Sequence, residues 1–173
     1  MLSNNPKEAT LENFLESHFR DIFGPNYDRI ETQIWLRFPE FYISNRSRRL
    51  DIFLRNQIEK DWELFEIKRL VPLTGNYRDI PVLSREITTA ISQVRNYVRI
   101  LQQDKVKQSM YREGIEYFEP ELRLVVERSP QIETEQWRRI VADSSNGVKI
   151  ITFDNLLDQM RARLASRELA THL

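Results

Sequence analysis

The sequence predicts an α/β fold in one domain spanning residues 1–173: helix, three strands, helix, strand, then a helix–strand–helix extension, around a mixed central sheet. Three observations predict it. Apolar residues recur with helical spacing before and after a central region in which they alternate with polar ones. Three strand-like segments follow one another ahead of a long helix, so the next strand is reached by a crossover that leaves a helix on a sheet face. No internal repeat, low-complexity tract or interdomain linker interrupts the chain, whose length suits one domain with a sizeable core.

The first helix is signalled by Asn5 as cap, Pro6 at the first helical position and Glu8 where a capping box places an acid. Leu11, Phe14, Leu15, His18, Phe19, Ile22 and Phe23 continue it with helical spacing, and Gly24–Pro25 ends it. Ile30 to Phe38 reads as a strand with Ile30, Thr32, Ile34, Leu36 and Phe38 on one face. Leu50 to Arg55 reads as a second, with Leu50, Ile52 and Leu54 on one face and Asp51 and Phe53 on the other. The polar stretch Asn56 to Asp61 is a hairpin turn, and Trp62 to Arg69 is the third strand. A loop containing Pro72, Gly75, Asn76 and Pro81 leads to a helix starting near Ser84, whose apolar stripe is Ile87, Ile91, Val94, Val98 and Leu101. Leu122 to Glu127 is a strand, Thr134 to Asp143 a helix, Val148 to Phe153 a strand, and Asp154 to about Arg167 a closing helix; Asp104 to Pro120 has no assignable pattern. Trp35 and Trp62 read as core or cross-strand residues, and Trp137 as helix packing.

Composition excludes several function classes. Lys+Arg and Asp+Glu both number 26, so a role on nucleic acid would rest on a local basic patch and not on global charge. There is no cysteine and only two histidines, which excludes disulfides and thiolate sites and disfavours zinc. A bound metal would take oxygen ligands, as magnesium or manganese does. No apolar run approaches the roughly 20 residues of a membrane span, and Met1 to Glu8 has no signal-peptide pattern. The expected setting is the bacterial or archaeal cytosol, with no membrane and no small organic cofactor.

The chemistry concentrates on the third strand, Trp62-Glu63-Leu64-Phe65-Glu66-Ile67-Lys68-Arg69. Residues two apart in a strand share a face, so Glu66 and Lys68 point together and Ile67 away. Asp51, on the neighbouring strand, is placed to lie beside Glu66. A Glu-x-Lys pair on a strand is usually a solvated ion pair contributing little. Here the strand is mostly apolar, where a charged pair is costly unless used. Two carboxylates make a hard-oxygen site for a divalent cation, and a neighbouring lysine can orient water or stabilise phosphate charge, as phosphodiester hydrolysis needs. Removing either carboxylate is then expected to leave stability unchanged or raise it, by relieving repulsion between two acids. Arg46, Arg48 and Arg49 precede Asp51, Arg69 follows Lys68, and Arg95 and Arg99 lie on the long helix; these arginines are candidates for phosphate contact.

The element order and the Asp51, Glu66-Ile67-Lys68 set resemble the PD-(D/E)xK nuclease superfamily, which implies a restriction-endonuclease-like core. Leu50-Asp51 stands where that family has Pro-Asp, a departure at a variable position. Gln93-Val94-Arg95-Asn96-Tyr97 is similar to the Gln-x-x-x-Tyr of the family's crossover helix. A closer resemblance is to Shedu-type antiphage nuclease domains. It rests on Glu66 to Arg69, Pro72, Ser84-Arg85-Glu86, Ala90 to Tyr97, and the ending Ile151-Thr152-Phe153-Asp154-Asn155-Leu156-Leu157. Shedu proteins commonly carry a further N-terminal region, and this chain opens almost at its first core helix. The resemblance implies a metal-dependent DNA endonuclease in antiphage or anti-plasmid defence. It implies Mg2+ (or Mn2+) held by Asp51, Glu66 and the backbone carbonyl of Ile67, with Lys68 and Gln93 in the catalytic set. A first-helix glutamate often joins such sites; Glu12 is preferred over Glu16, its neighbour one turn on. Nucleic-acid contacts are assigned to Arg48, Arg49, Arg69, Arg95 and Tyr97. A homo-oligomer is expected; Leu156, Leu157, Met160 and Leu164 of the closing helix serve either its apolar surface or the domain's own core. Two other readings on the same fold are a non-catalytic nucleic-acid or protein-binding module and a DNA-repair or junction-resolving nuclease.

Overall fold

Residues 8–37, 48–68, 71–126, 130 and 132–171 are described by the computed structural model. The alternating segments pair as the parity of their side chains requires. β1 (Tyr27–Leu36), β2 (Arg48–Asn56) and β3 (Asp61–Lys68) form an antiparallel meander, and β6 (Glu121–Val126) and β7 (Lys149–Thr152) add to it in parallel. The result is a five-stranded mixed sheet in the order β1-β2-β3-β6-β7. α1 (Glu8–Ser17), α2 (Phe19–Phe23) and α6 (Phe153–Thr171) accompany one face, where Leu15, Ile22, Ile52, Leu54, Phe65, Ile67, Val125 and Leu156 are buried together. α3 (Arg85–Leu101), α4 (Asp104–Arg112) and α5 (Thr134–Ser144) accompany the other. On that side Phe53 stacks on Trp62 with ring centroids 4.8 Å apart, and the Trp62 indole N–H donates to the Glu116 carbonyl at 2.8 Å. No described helix is long and apolar enough to cross a membrane.

Several expectations needed correction. The first helix breaks at His18, whose φ of −123° ends α1, and Gly24 at φ 111° closes α2. Asn5 and Pro6 lie outside the described residues, as do Phe38 and Glu127. The loop after the third strand is a hairpin, β4 (Thr74–Tyr77) against β5 (Ile80–Leu83), turned by Arg78 and Asp79 at φ 49° and 64°. Asp79 suits a left-handed position, but Arg78 does not, so the pair lacks the Asn-Gly or Asp-Gly signature that announces such a turn. Asp104–Arg112, without assignable pattern in the sequence, is α4, docked by the buried Val106 and Met110. Leu156 is buried against the chain's own sheet and Met160 packs on the same cluster, while Leu164 remains exposed.

The most informative correction concerns the faces of β1 and β2. Ile30, Ile34 and Leu36 were expected on one face, yet Ile30 packs with the α1/α2/α6 cluster and Ile34 and Leu36 with the α3/α4 cluster. Leu50 likewise packs on the α3 side while Ile52 and Leu54 pack on the other. The exchange occurs at Gln33, whose φ is 54°, between the pairs Thr32↔Ile52 and Ile34↔Leu50. A left-handed residue inside a strand turns the following side chains and is costly for a residue other than glycine. Asp51 is the residue opposite this irregularity.

Candidate active site

The site forms where β2 and β3 part. Their ladder ends at Ile52↔Phe65. One residue beyond it, the Asp51 side chain takes over from the backbone: the Ile67 amide donates to Asp51 Oδ2 at 2.9 Å. Glu66 is 2% exposed. Lys68 Nζ donates to its Oε1 at 2.6 Å, and so does Gln93 Nε2 at 2.8 Å. The other oxygen, Oε2, is fully buried. Gln93 Nε2 also meets the Tyr97 hydroxyl at 2.5 Å. The i,i+4 spacing on α3 brings Gln93 and Tyr97 to one face of the helix. Ser84 starts that helix by accepting from the Ile87 amide at 3.1 Å, and α3 then crosses over to lie on β3 and β6. Strand parity thus aims Glu66 and Lys68 at α3, and helical parity aims Gln93 back at them.

Of the expected site residues, the structure gathers Asp51, Glu66, Lys68, Gln93 and Tyr97. Arg49 joins them, its Nη2 3.8 Å from Asp51 Oδ1. Arg49, Gln93 and Tyr97 share a cleft of about 690 Å3 with Trp35 and with Ser92 and Asn96 of α3. Tyr97 is 2% exposed, so it positions Gln93 and has little surface for the expected contact with nucleic acid. Arg95 and Arg99 do not join this cleft. They line another, of about 570 Å3, with Gln102, Glu119 and Lys149. Helical spacing explains the separation: Arg95 is two residues from Gln93, on another face of α3. Arg46 and Arg69 lie outside the described residues; Arg48 is described in its backbone within β2 and Glu12 in its backbone within α1. Glu16 is exposed, and the Thr32 hydroxyl donates to its Oε2 at 3.2 Å.

Among the described residues no cluster of three His, Cys, Asp or Glu forms. The oxygens here are two carboxylates and the backbone beside them. Asp51, Glu66 and the Ile67 carbonyl offer only oxygen donors, the kind that a hard divalent cation takes.

A second buried carboxylate was missed. Glu63, 2% exposed, is three residues from Glu66 and therefore on the opposite sheet face. Tyr27 Oη donates to both its oxygens at 2.8 Å, Asn56 Nδ2 donates to Oε1 at 3.3 Å, and the Arg123 guanidinium closes on Oε2. Arg123 also reaches Glu121 at 3.0 Å, which Lys149 holds at 2.7 Å. The network joins β1, β2, β3, β6 and β7. The signal was available as a second acid in an apolar strand, but its partners come from residues 36 and 60 positions away.

Burial, and then the Glu63 charge, push the Tyr27 phenol well above the usual tyrosine range; burial does the same to Tyr117. A raised folded value means stability is whole below the unfolded tyrosine value of about 10 and is lost as pH rises above it. Melting temperature is therefore expected to fall above roughly pH 10. Tyr27→Phe should flatten part of that slope, which a pH series of thermal melts measures; an unchanged slope would assign the loss elsewhere.

The family model described as Shedu protein SduA, C-terminal, matches residues 5–157, which takes in every element from α1 to the first turn of α6. No curated protein matches the sequence.

Proposed function

The chain belongs to the Shedu protein SduA C-terminal family, and from that premise we propose that it is a divalent-metal-dependent DNA nuclease of the PD-(D/E)xK type acting in antiphage defence. The observation that carries the reading is the convergence of Asp51, Lys68 and Gln93 on the buried Glu66 segment of β3, where two strands part beside an open cleft. A carboxylate this deep with a lysine and a glutamine amide on one oxygen is held in a single orientation. An ordinary surface ion pair has no such constraint.

Asp51 and Glu66 would hold Mg2+ or Mn2+ together with the Ile67 carbonyl. The cation would supply charge neutralisation at the phosphate and lower the pKa of a bound water. The chain's own groups do the positioning. The Ile67 amide orients Asp51 by donating to its Oδ2. Lys68, 28% exposed, keeps its ammonium at the mouth of the site, where it can orient a water or face charge developing on a phosphate. Gln93 holds Glu66 from the helix side, and Tyr97 holds Gln93. Arg49 stands between Asp51 and the cleft as a phosphate contact. One such site cuts one strand at a time, so assembly into a homo-oligomer belongs to the same reading.

The test is cleavage by the purified protein of linear, circular and single-stranded DNA with magnesium or manganese, against the same reactions in EDTA. Metal-dependent cutting is expected. DNA binding without cutting under every metal condition would favour the non-catalytic module instead.

A further inference from the structure

Trp35 stands apart from the other aromatic residues of the sheet. Trp62, Phe53 and Phe65 are sealed in the core, whereas Trp35 is 52% exposed although it lies within a paired strand. Its cross-strand partner in the β1–β2 register is Arg49. Both line the cleft that Ser92, Gln93 and Asn96 close from α3. The cleft is tied to the two carboxylates at both sides: Gln93 Nε2 is 2.8 Å from Glu66 Oε1, and Arg49 Nη2 is 3.8 Å from Asp51 Oδ1. Its volume of about 690 Å3 lies in the range of small-molecule sites and has room for a nucleotide. Its lining is one indole, one guanidinium and a row of amides and hydroxyls. That combination matches a base with its phosphate: a π face for stacking, a cation for the backbone, and donors and acceptors for a base edge. The backbone turn at Gln33, two residues before Trp35, lies at the point where the strand exchanges faces. Strained backbone of this kind is found where a side chain must be aimed.

We propose that Trp35 is a stacking platform for an unpaired nucleobase of the strand whose phosphodiester lies at Glu66 and Lys68. The residue thereby sets a preference for DNA that is single-stranded or opened at the cut. A base inside an intact duplex has both faces covered and cannot use the platform without leaving the stack. This inference rests on the nuclease reading above and specifies its substrate.

The test uses the full chain in EDTA, so that binding is read without cutting. The probes are a short oligothymidylate and a blunt duplex of equal length. Indole fluorescence should be quenched by oligothymidylate, and the quench lost in Trp35→Phe, because Trp35 is exposed, Trp62 is sealed and Trp137 is partly buried against another core cluster. Trp35→Ala should weaken oligothymidylate binding roughly tenfold and duplex binding much less, the size expected for one base–aromatic stack. Trp35→Phe should recover part of the affinity. Trp35→Leu, which keeps apolar volume without a π face, should behave like Trp35→Ala. If Trp35→Leu binds like the unchanged protein, or if all variants bind oligothymidylate equally while the protein still cuts DNA with metal, the stacking inference is overturned and the nuclease reading stands. If the unchanged protein binds no DNA and cuts none with magnesium or manganese, both fall together.

Discussion

Lys68→Ala is expected to lower metal-dependent DNA cleavage by roughly two to three orders of magnitude, the loss typical of removing one preorganised charge-stabilising group. Fold and metal affinity should be retained. An ammonium has donors and no lone pair, so Lys68 is not a ligand. Its contact is with Glu66 Oε1 at 2.6 Å, and the Gln93 amide stays on that oxygen when the lysine is gone. Asp51→Ala and Glu66→Ala should differ by weakening metal binding itself. They should also differ from what the sequence alone led one to expect, which was equal or greater stability once either acid was removed. Asp51 accepts the Ile67 amide at the end of the β2–β3 ladder, so Asp51→Ala leaves a backbone donor unsatisfied and should cost about 1–3 kcal/mol. Glu66→Gln keeps the shape and tests the charge. Cleavage rates, metal titration by calorimetry and thermal melts on the variants side by side separate these roles. A fully active Lys68→Ala protein would refute the assignment of chemistry to this lysine.

Arg123→Ala is expected to be the most destabilising single truncation outside the apolar core. It removes the cation that closes on Glu63, a carboxylate 2% exposed, and leaves the charge with Tyr27 and Asn56 alone. Breaking one side of a buried pair typically costs about 3–5 kcal/mol, because the remaining charge is stranded in low dielectric. For a domain of this size that lowers the melting temperature by roughly 10 °C. The guanidinium also covers Phe65, its carbon 5.7 Å from the ring centroid, so some packing is lost as well. Adding Glu63→Gln to Arg123→Ala should recover part of the loss, since a neutral amide needs no counter-charge. A single mutant within 1 kcal/mol of the unchanged protein, measured by denaturant unfolding, would falsify the claim that this network secures the sheet. Cleavage at the Glu66 site lies on the other face and is not needed for the measurement.

Much of this was determined by the sequence alone. Strand parity put Glu66 and Lys68 on one side of β3, and helical spacing put Gln93 and Tyr97 on one side of α3, because both rules are local and depend only on backbone period. The order of the main elements was legible for the same reason. Tertiary structure decided the rest. Only the packing of α3 across the sheet shows that Gln93 reaches Glu66 while Arg95 faces a different cleft. The exchange of faces at Gln33 hangs on one left-handed φ that side-chain alternation cannot register, and with it went the expected placement of Ile30 and Ile34 on a common face. The hairpin after β3 turns on Arg78 and Asp79; aspartate suits the left-handed region but arginine does not favour it, so the turn shows only once β4 and β5 are seen to pair. Glu63 finds Tyr27 and Arg123 from far along the chain, and Trp35, apolar and within a strand, was read as core or a cross-strand partner and lies half exposed beside the site. Period and propensity act over a few residues, whereas burial and pairing depend on what the rest of the chain brings alongside.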